Sequence, residues 1–150
     1  MDEIEAGIAV AKSAGADQVE ALHCVSSYPA EGDLLNLSAI ETMRKKLGVP
    51  IGWSDHSHLK EAIVAAVLRW GARTVEMHFD IDGKGAEFGP GHCWLPEEAA
   101  DVISMCKIAL SMDGDGEKKP SLAELDERMW RADPSDGLRP FKDIRDTFNS

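Results

Sequence analysis

Apolar positions follow two alternating rhythms along the first 110 residues, a helical spacing of three and four and short continuous runs of strand length. Ile4, Ile8 and Ala11 share one stripe of a helix expected over Met1 to Ala14, with Asp2, Glu3 and Glu5 near its positive end and Gly15 closing it. The run Gln18 to Val25 suits a buried parallel strand, and turn-forming Ser26 to Pro29 follows it. A second helix, Leu37 to Leu47, buries Ile40, Met43 and Leu47 and stops at Gly48. Asn36 or Ser38 is its expected cap, with Glu41 completing a capping box. The unit then repeats: a strand over Val49 to Trp53, a loop over Ser54 to His58, and a helix over Leu59 to Trp70 with Ala62, Ile63, Ala66, Val67 and Trp70 on one face. A third strand, Thr74 to Phe79, leads into a glycine-rich loop from Asp80 to Cys93. Pro96, Glu97 and Glu98 then open another helix.

Strands that each lead into a helix describe consecutive β/α units of a parallel sheet or barrel, an α/β fold. In such folds chemistry collects at the carboxyl ends of the strands. The pattern changes after residue 110. Residues 111–150 read as a polar tail punctuated by Gly and Pro, with short helices near Leu122 to Met129 and Phe141 to Phe148.

Composition narrows the function classes. A formal charge of -11 without a basic cluster argues against nucleic acid, and no apolar run is long enough for a membrane span. The acidity also means that an anionic substrate needs a local source of positive potential, such as a metal, helix N-termini or basic residues outside this chain. Cys24, Cys93 and Cys106 are odd in number and lack C-x-x-C spacing, which fits a reducing cytoplasm and buried structural thiols.

Polar residues gather at the strand ends: Ser26 and Tyr28 after the first, Ser54, Asp55 and His56 after the second, His78 at the end of the third, and His92 in the next loop. Neighbouring strands lie about 5 Å apart, so His56 and His78 can reach one metal ion and leave positions open for substrate oxygens. The alternative is that each imidazole only bonds a backbone carbonyl. Asp55 is open between orienting an imidazole and capping a helix. His56-x-His58 is the spacing of a metal-dependent hydrolase, the rival enzyme class, although His58 is expected to face solvent. Asp113, Asp115 and Glu117 are a poor calcium loop because Lys118 stands where glycine is needed. Trp94, beside the glycine-rich loop, is the indole best placed to test for sugar contact.

The stretches His23 to Pro29, Gly48 to His56, Val75 to Phe79 and Gly89 to His92 resemble, in order and spacing, the N-acetylneuraminate (sialic acid) synthase family. That resemblance implies a (β/α)8 TIM-type barrel of which this chain carries the later half, about three parallel strands, over residues 1–110. It implies condensation of phosphoenolpyruvate with the aldehyde of an N-acetylmannosamine-like amino sugar, aided by a divalent metal, Mn2+ or Mg2+, on His56 and His78. Ser26 and Ser54 would contact phosphoenolpyruvate, and Tyr28 would position the sugar.

Three departures stand out. Gly91 replaces the Asp of the family's Gly-Pro-Asp-His; the strands that bring a catalytic Glu and phosphate-binding Lys are not represented; and the tail from Arg131 to Pro140 stands where bacterial members have an antifreeze-like domain. This chain alone is therefore expected to be incomplete for catalysis, or to be a non-catalytic assembly module. Three strands cannot close a barrel, and the inward face, expected to carry Val25, Ile51 and Val75, lacks its opposite wall. Pairing into a homo-oligomer or with a complementing half-barrel chain is expected unless the tail folds over the opening.

Overall fold

A computed structural model describes residues 1–148. They separate into a unit over Met1–Asp113 and a second that begins at Gly114. In the first unit, helix α1 (Asp2–Ser13) precedes strand β1 (Ala21–Cys24), α2 (Ala39–Leu47), β2 (Ile51–Asp55), α3 (Lys60–Leu68), β3 (Val75–Met77) and α4 (Pro96–Ser111). The three strands form one parallel sheet in sequence order, with Ala21 opposite Ile51, Cys24 opposite Ser54, and Asp55 opposite Met77.

The strands differ in extent from the sequence expectation for a pairing reason. Pro50 has no N–H to give, so the ladder starts as Ala21 donates to the Pro50 carbonyl and continues from Ile51. At the other end Ser54 and Asp55, expected in a loop, are strand because Glu76 and Met77 lie beside them. Beyond β3, Trp94 donates to the His78 carbonyl and Asp80 to the Trp94 carbonyl, an isolated parallel bridge that returns the long loop to the sheet end. The expected capping box of α2 does not form: the Ser38 hydroxyl donates to Asn36, and Glu41 pairs with Lys45. Gly48 does end this helix, at φ 61°.

The main core joins Ile51 and Trp53 to Ile40 and Met43 of α2 and Ala62 and Ala66 of α3, with Val25 and Val75 packed against it. A second cluster seats Ile63, Trp94 and Val102 between α3 and α4. Val25, Ile51 and Val75 therefore face the helices, not the inward side assigned to them from the sequence. Strand alternation puts Leu22, Gly52, Ser54, Thr74 and Glu76 on the opposite face, where Ser54 Oγ donates to Glu76 at 2.7 Å and Thr74 Oγ1 to Glu20 at 3.0 Å. Gly52 is needed there. A Cβ would stand 2.4 Å from Leu22 Cδ2 and 2.6 Å from the Thr74 carbonyl oxygen. The open face is thus mostly polar. On α4, by contrast, Ile103, Ile108 and Leu110 are at least half exposed.

Trp94 is fully buried, which removes it as a sugar platform. Of the three thiols expected to be buried, Cys93 is, Cys106 is half-buried, and Cys24 is exposed because its side chain projects from the open face at the end of β1. In the second unit the expected helix near Leu122 to Met129 is instead two 3-10 turns, Leu122–Glu124 and Asp126–Trp130. No residue of either is buried, so nothing offsets the cost of nucleating a longer helix. Helix α5 (Lys142–Phe148) is tied to the turn before it by Asp133, which accepts from the Lys142 N–H and from Ser135. These bonds hold its carboxyl at about 2. Among the described residues no helix is long and apolar enough to cross a membrane.

Candidate functional site

The carboxyl ends of β1, β2 and β3 bring Tyr28, His56, His78 and His92 into one ring cluster. His56 and His78, on neighbouring strands, have ring centroids 5.1 Å apart, and His78 and His92 4.8 Å. Tyr28 lies against all three imidazoles, at 4.3 Å from His56, 5.7 Å from His78 and 5.1 Å from His92. It is placed there because Ala30 N–H donates to the His56 carbonyl at 2.8 Å, folding the loop after β1 across the end of β2.

His56 is buried, and its Nδ1 lies 2.9 Å from the Val25 carbonyl oxygen. A carbonyl only accepts, so Nδ1 carries the proton and Nε2 keeps the lone pair that a metal needs. His78 is half-buried, and its Nδ1 faces a Glu87 carboxylate oxygen at 3.3 Å, the carboxylate–imidazole arrangement that orients ligand histidines. The residues present therefore fit a divalent ion between His56 and His78. His92 Nδ1 is buried and without a hydrogen-bond partner among the described residues. Burial, with His78 alongside, pushes this ring below the usual imidazole range, which keeps it neutral. Tyr28, His78, Ala86, Glu87, Pro90 and His92 line an open cleft of about 360 Å³.

Ser26 is exposed at the end of β1, with its Oγ 3.5 Å from Cys24 Sγ. Ser54 is buried on the inward face. Cys24 Sγ lies 3.8 Å from His56 Nδ1, a neighbour that the sequence did not single out. Gly91 adopts φ 88°, a conformation that an Asp side chain would strain, so the departure from Gly-Pro-Asp-His is built into the shape of the loop. The carboxylate nearest these imidazoles is Glu87.

Asp55 neither orients an imidazole nor caps α3, whose cap position is Leu59. Fully buried, it accepts from both core indoles, Trp53 Nε1 at 3.2 Å and Trp94 Nε1 at 2.9 Å, and from Ser57 Oγ and the N–H groups of Ser57 and His58. His58 does not face solvent as expected: its Nε2 is 3.0 Å from Glu98, and its ring stands edge-on to Trp94 at 4.6 Å. His56 and His58 thus point into different surroundings, and nothing joins them into the hydrolase pair.

Known proteins resemble this chain over most of its length. Residues 1–118 match the NeuB family. The chain is 36% identical over 111 residues to N,N'-diacetyllegionaminic acid synthase of Legionella pneumophila, which covers 73% of this chain and 30% of that one. It is 35% identical over 111 residues to a pseudaminic acid synthase of Campylobacter jejuni, covering 73% of this chain and 30% of the relative. A crystal structure of N-acetylneuraminic acid (sialic acid) synthetase from Leptospira borgpetersenii superposes with a TM-score of 0.67 at 34% identity, over 84% of this chain and 44% of that one. The chain thus spans under half the length of these relatives. Its three parallel strands and their helices are part of a (β/α)8 barrel, and the chain belongs to the NeuB family.

Proposed function

We propose that this chain carries the metal-side wall of a phosphoenolpyruvate-dependent nonulosonic acid synthase, which condenses phosphoenolpyruvate with an N-acetylmannosamine-like aldehyde in the cytoplasm. The observation that carries this reading is the pairing of His56 and His78 at the ends of adjacent strands, with the His56 Nε2 lone pair left free. A divalent ion, Mn2+ or Mg2+, held by these two rings would supply Lewis-acid polarisation of the sugar aldehyde and offset the acidity of the chain. C3 of phosphoenolpyruvate attacks the aldehyde carbon, water adds at C2, and phosphate departs. Ser26 and Ser54 hold phosphoenolpyruvate by their hydroxyls, Ser54 by turning its proton from Glu76 to the substrate. Tyr28, half exposed and packed on the imidazoles, presents its ring edge and hydroxyl to the sugar.

Turnover requires the rest of the barrel. With phosphoenolpyruvate, N-acetylmannosamine and Mn2+, the chain alone is expected to release no phosphate. Adding a chain that carries the earlier strands of a relative is expected to restore release. Phosphate release by this chain unaided would show that the residues counted as missing are not essential.

Association follows from the same incompleteness. Both outer strands, β1 and β3, leave an edge, and α4 exposes Ile103, Ile108 and Leu110. Such edges recruit a partner strand. Light scattering of the intact chain is expected to give at least a dimer at micromolar concentration, as two copies sharing strand edges. A strictly monomeric chain across the concentration range would refute that.

A further inference from the structure

The loop after β3 holds donors that the synthase reading leaves unused. His78, Glu87, His92 and Cys93 each offer one ligand atom, and these four atoms lie within 4.8 Å of one another. Two imidazoles, a carboxylate and a thiol are a donor set for a borderline-soft ion of the Zn2+ class and a poor one for Mg2+ or Mn2+, which prefer oxygen. Independently, His92 Nδ1 is buried with no partner among the described residues, a desolvated acceptor or donor that costs about 1–3 kcal/mol when left unmet.

We propose that His78, Glu87, His92 and Cys93 form a tetrahedral site for a Zn2+-class cation, distinct from the His56 and His78 pair but sharing His78 with it. Tetrahedral donors at about 2.0–2.3 Å from an ion lie about 3.3–3.8 Å apart. The farthest pair must therefore close by roughly an ångström, and the glycines of the Asp80 to Cys93 loop permit that. Binding balances as one ion in and one proton out. The Cys93 thiol, which donates to the Glu87 carbonyl at 3.3 Å, gives its proton to solvent and becomes the thiolate ligand.

Sharing His78 makes the two cations exclusive. A neutral imidazole has one lone pair. His78 meets Glu87 through Nδ1, and if that nitrogen ligates Zn2+ the proton sits on Nε2, which then cannot serve the ion held with His56. Zn2+ would thus displace the hard ion rather than add to it, so the loop is a selective off-switch for the site.

Zinc-edge absorption spectroscopy of the intact chain with one equivalent of Zn2+ tests this. The expected spectrum has one sulfur at about 2.3 Å, with nitrogen and oxygen neighbours at about 2.0–2.2 Å. Cys93→Ser is expected to remove the sulfur, whereas Cys24→Ser and His56→Ala keep it. Added Zn2+ is expected to release bound Mn2+, read by paramagnetic resonance, from the intact chain and not from Cys93→Ser. A shell without sulfur in the unaltered chain overturns the proposal even if a variant fails to fold. So does a sulfur that survives Cys93→Ser and vanishes in Cys24→Ser. Neither outcome touches the synthase reading, which rests on the pairing of His56 and His78 and is tested by phosphate release.

Discussion

Replacing His78 by alanine is expected to abolish stoichiometric Mn2+ uptake, measured by titration calorimetry, and to silence any complemented synthase built from this chain. Altering a group that merely orients a metal ligand typically costs 10–100-fold in affinity. Removing one of the two ligands proposed for the ion should therefore cost more than about 100-fold. His56→Ala is expected to match it for Mn2+, because the Nδ1 bond to the Val25 carbonyl leaves His56 Nε2 as the nitrogen with a lone pair to give. His58→Ala should leave Mn2+ uptake unchanged, since that ring is engaged by Glu98 and Trp94. Equal losses from His58→Ala and His78→Ala would return the hydrolase reading to favour.

Asp55→Ala is expected to be the most damaging single change to the fold. It orphans two buried indole N–H groups and frees the turn that Ser57 and His58 build. At about 1–3 kcal/mol for each unsatisfied buried donor, the two indoles alone account for about 2–6 kcal/mol. That is a large fraction of the roughly 5–15 kcal/mol by which domains are stable. Thermal unfolding should fall by on the order of 10 °C or lose its cooperativity. Asp55→Asn keeps an acceptor and should lose about half as much. A midpoint for Asp55→Ala within about 2 °C of the unaltered chain would show that the indoles find other partners.

Much of the scaffold was legible because periodicity is local. Stripes such as Ile4, Ile8 and Ala11, and runs such as Thr74 to Phe79, announce their elements within one or two turns of chain. The parallel order then follows from alternation of strand and helix. It also places His56 and His78 at adjacent strand ends, where the structure has them 5.1 Å apart.

Other features turn on contacts between residues far apart in the chain. Alternation told that Ile51 and Trp53 share a face but not that this face meets α2 and α3, so the inward side was assigned to the wrong residues. Asp55 was open between orienting an imidazole and capping a helix, whereas it accepts from Trp94, 39 residues on, and His58, expected to face solvent, meets Glu98. Glu87, His92 and Cys93 were only neighbours in a loop, and the bridge between Phe79 and Trp94 is what folds that loop back toward His78. The sequence by itself determined which segments are helix or strand and which residues end the strands, since both follow from short-range spacing. The tertiary structure alone decided which face is core and which donors meet, because packing and hydrogen bonding pair side chains regardless of their separation along the chain.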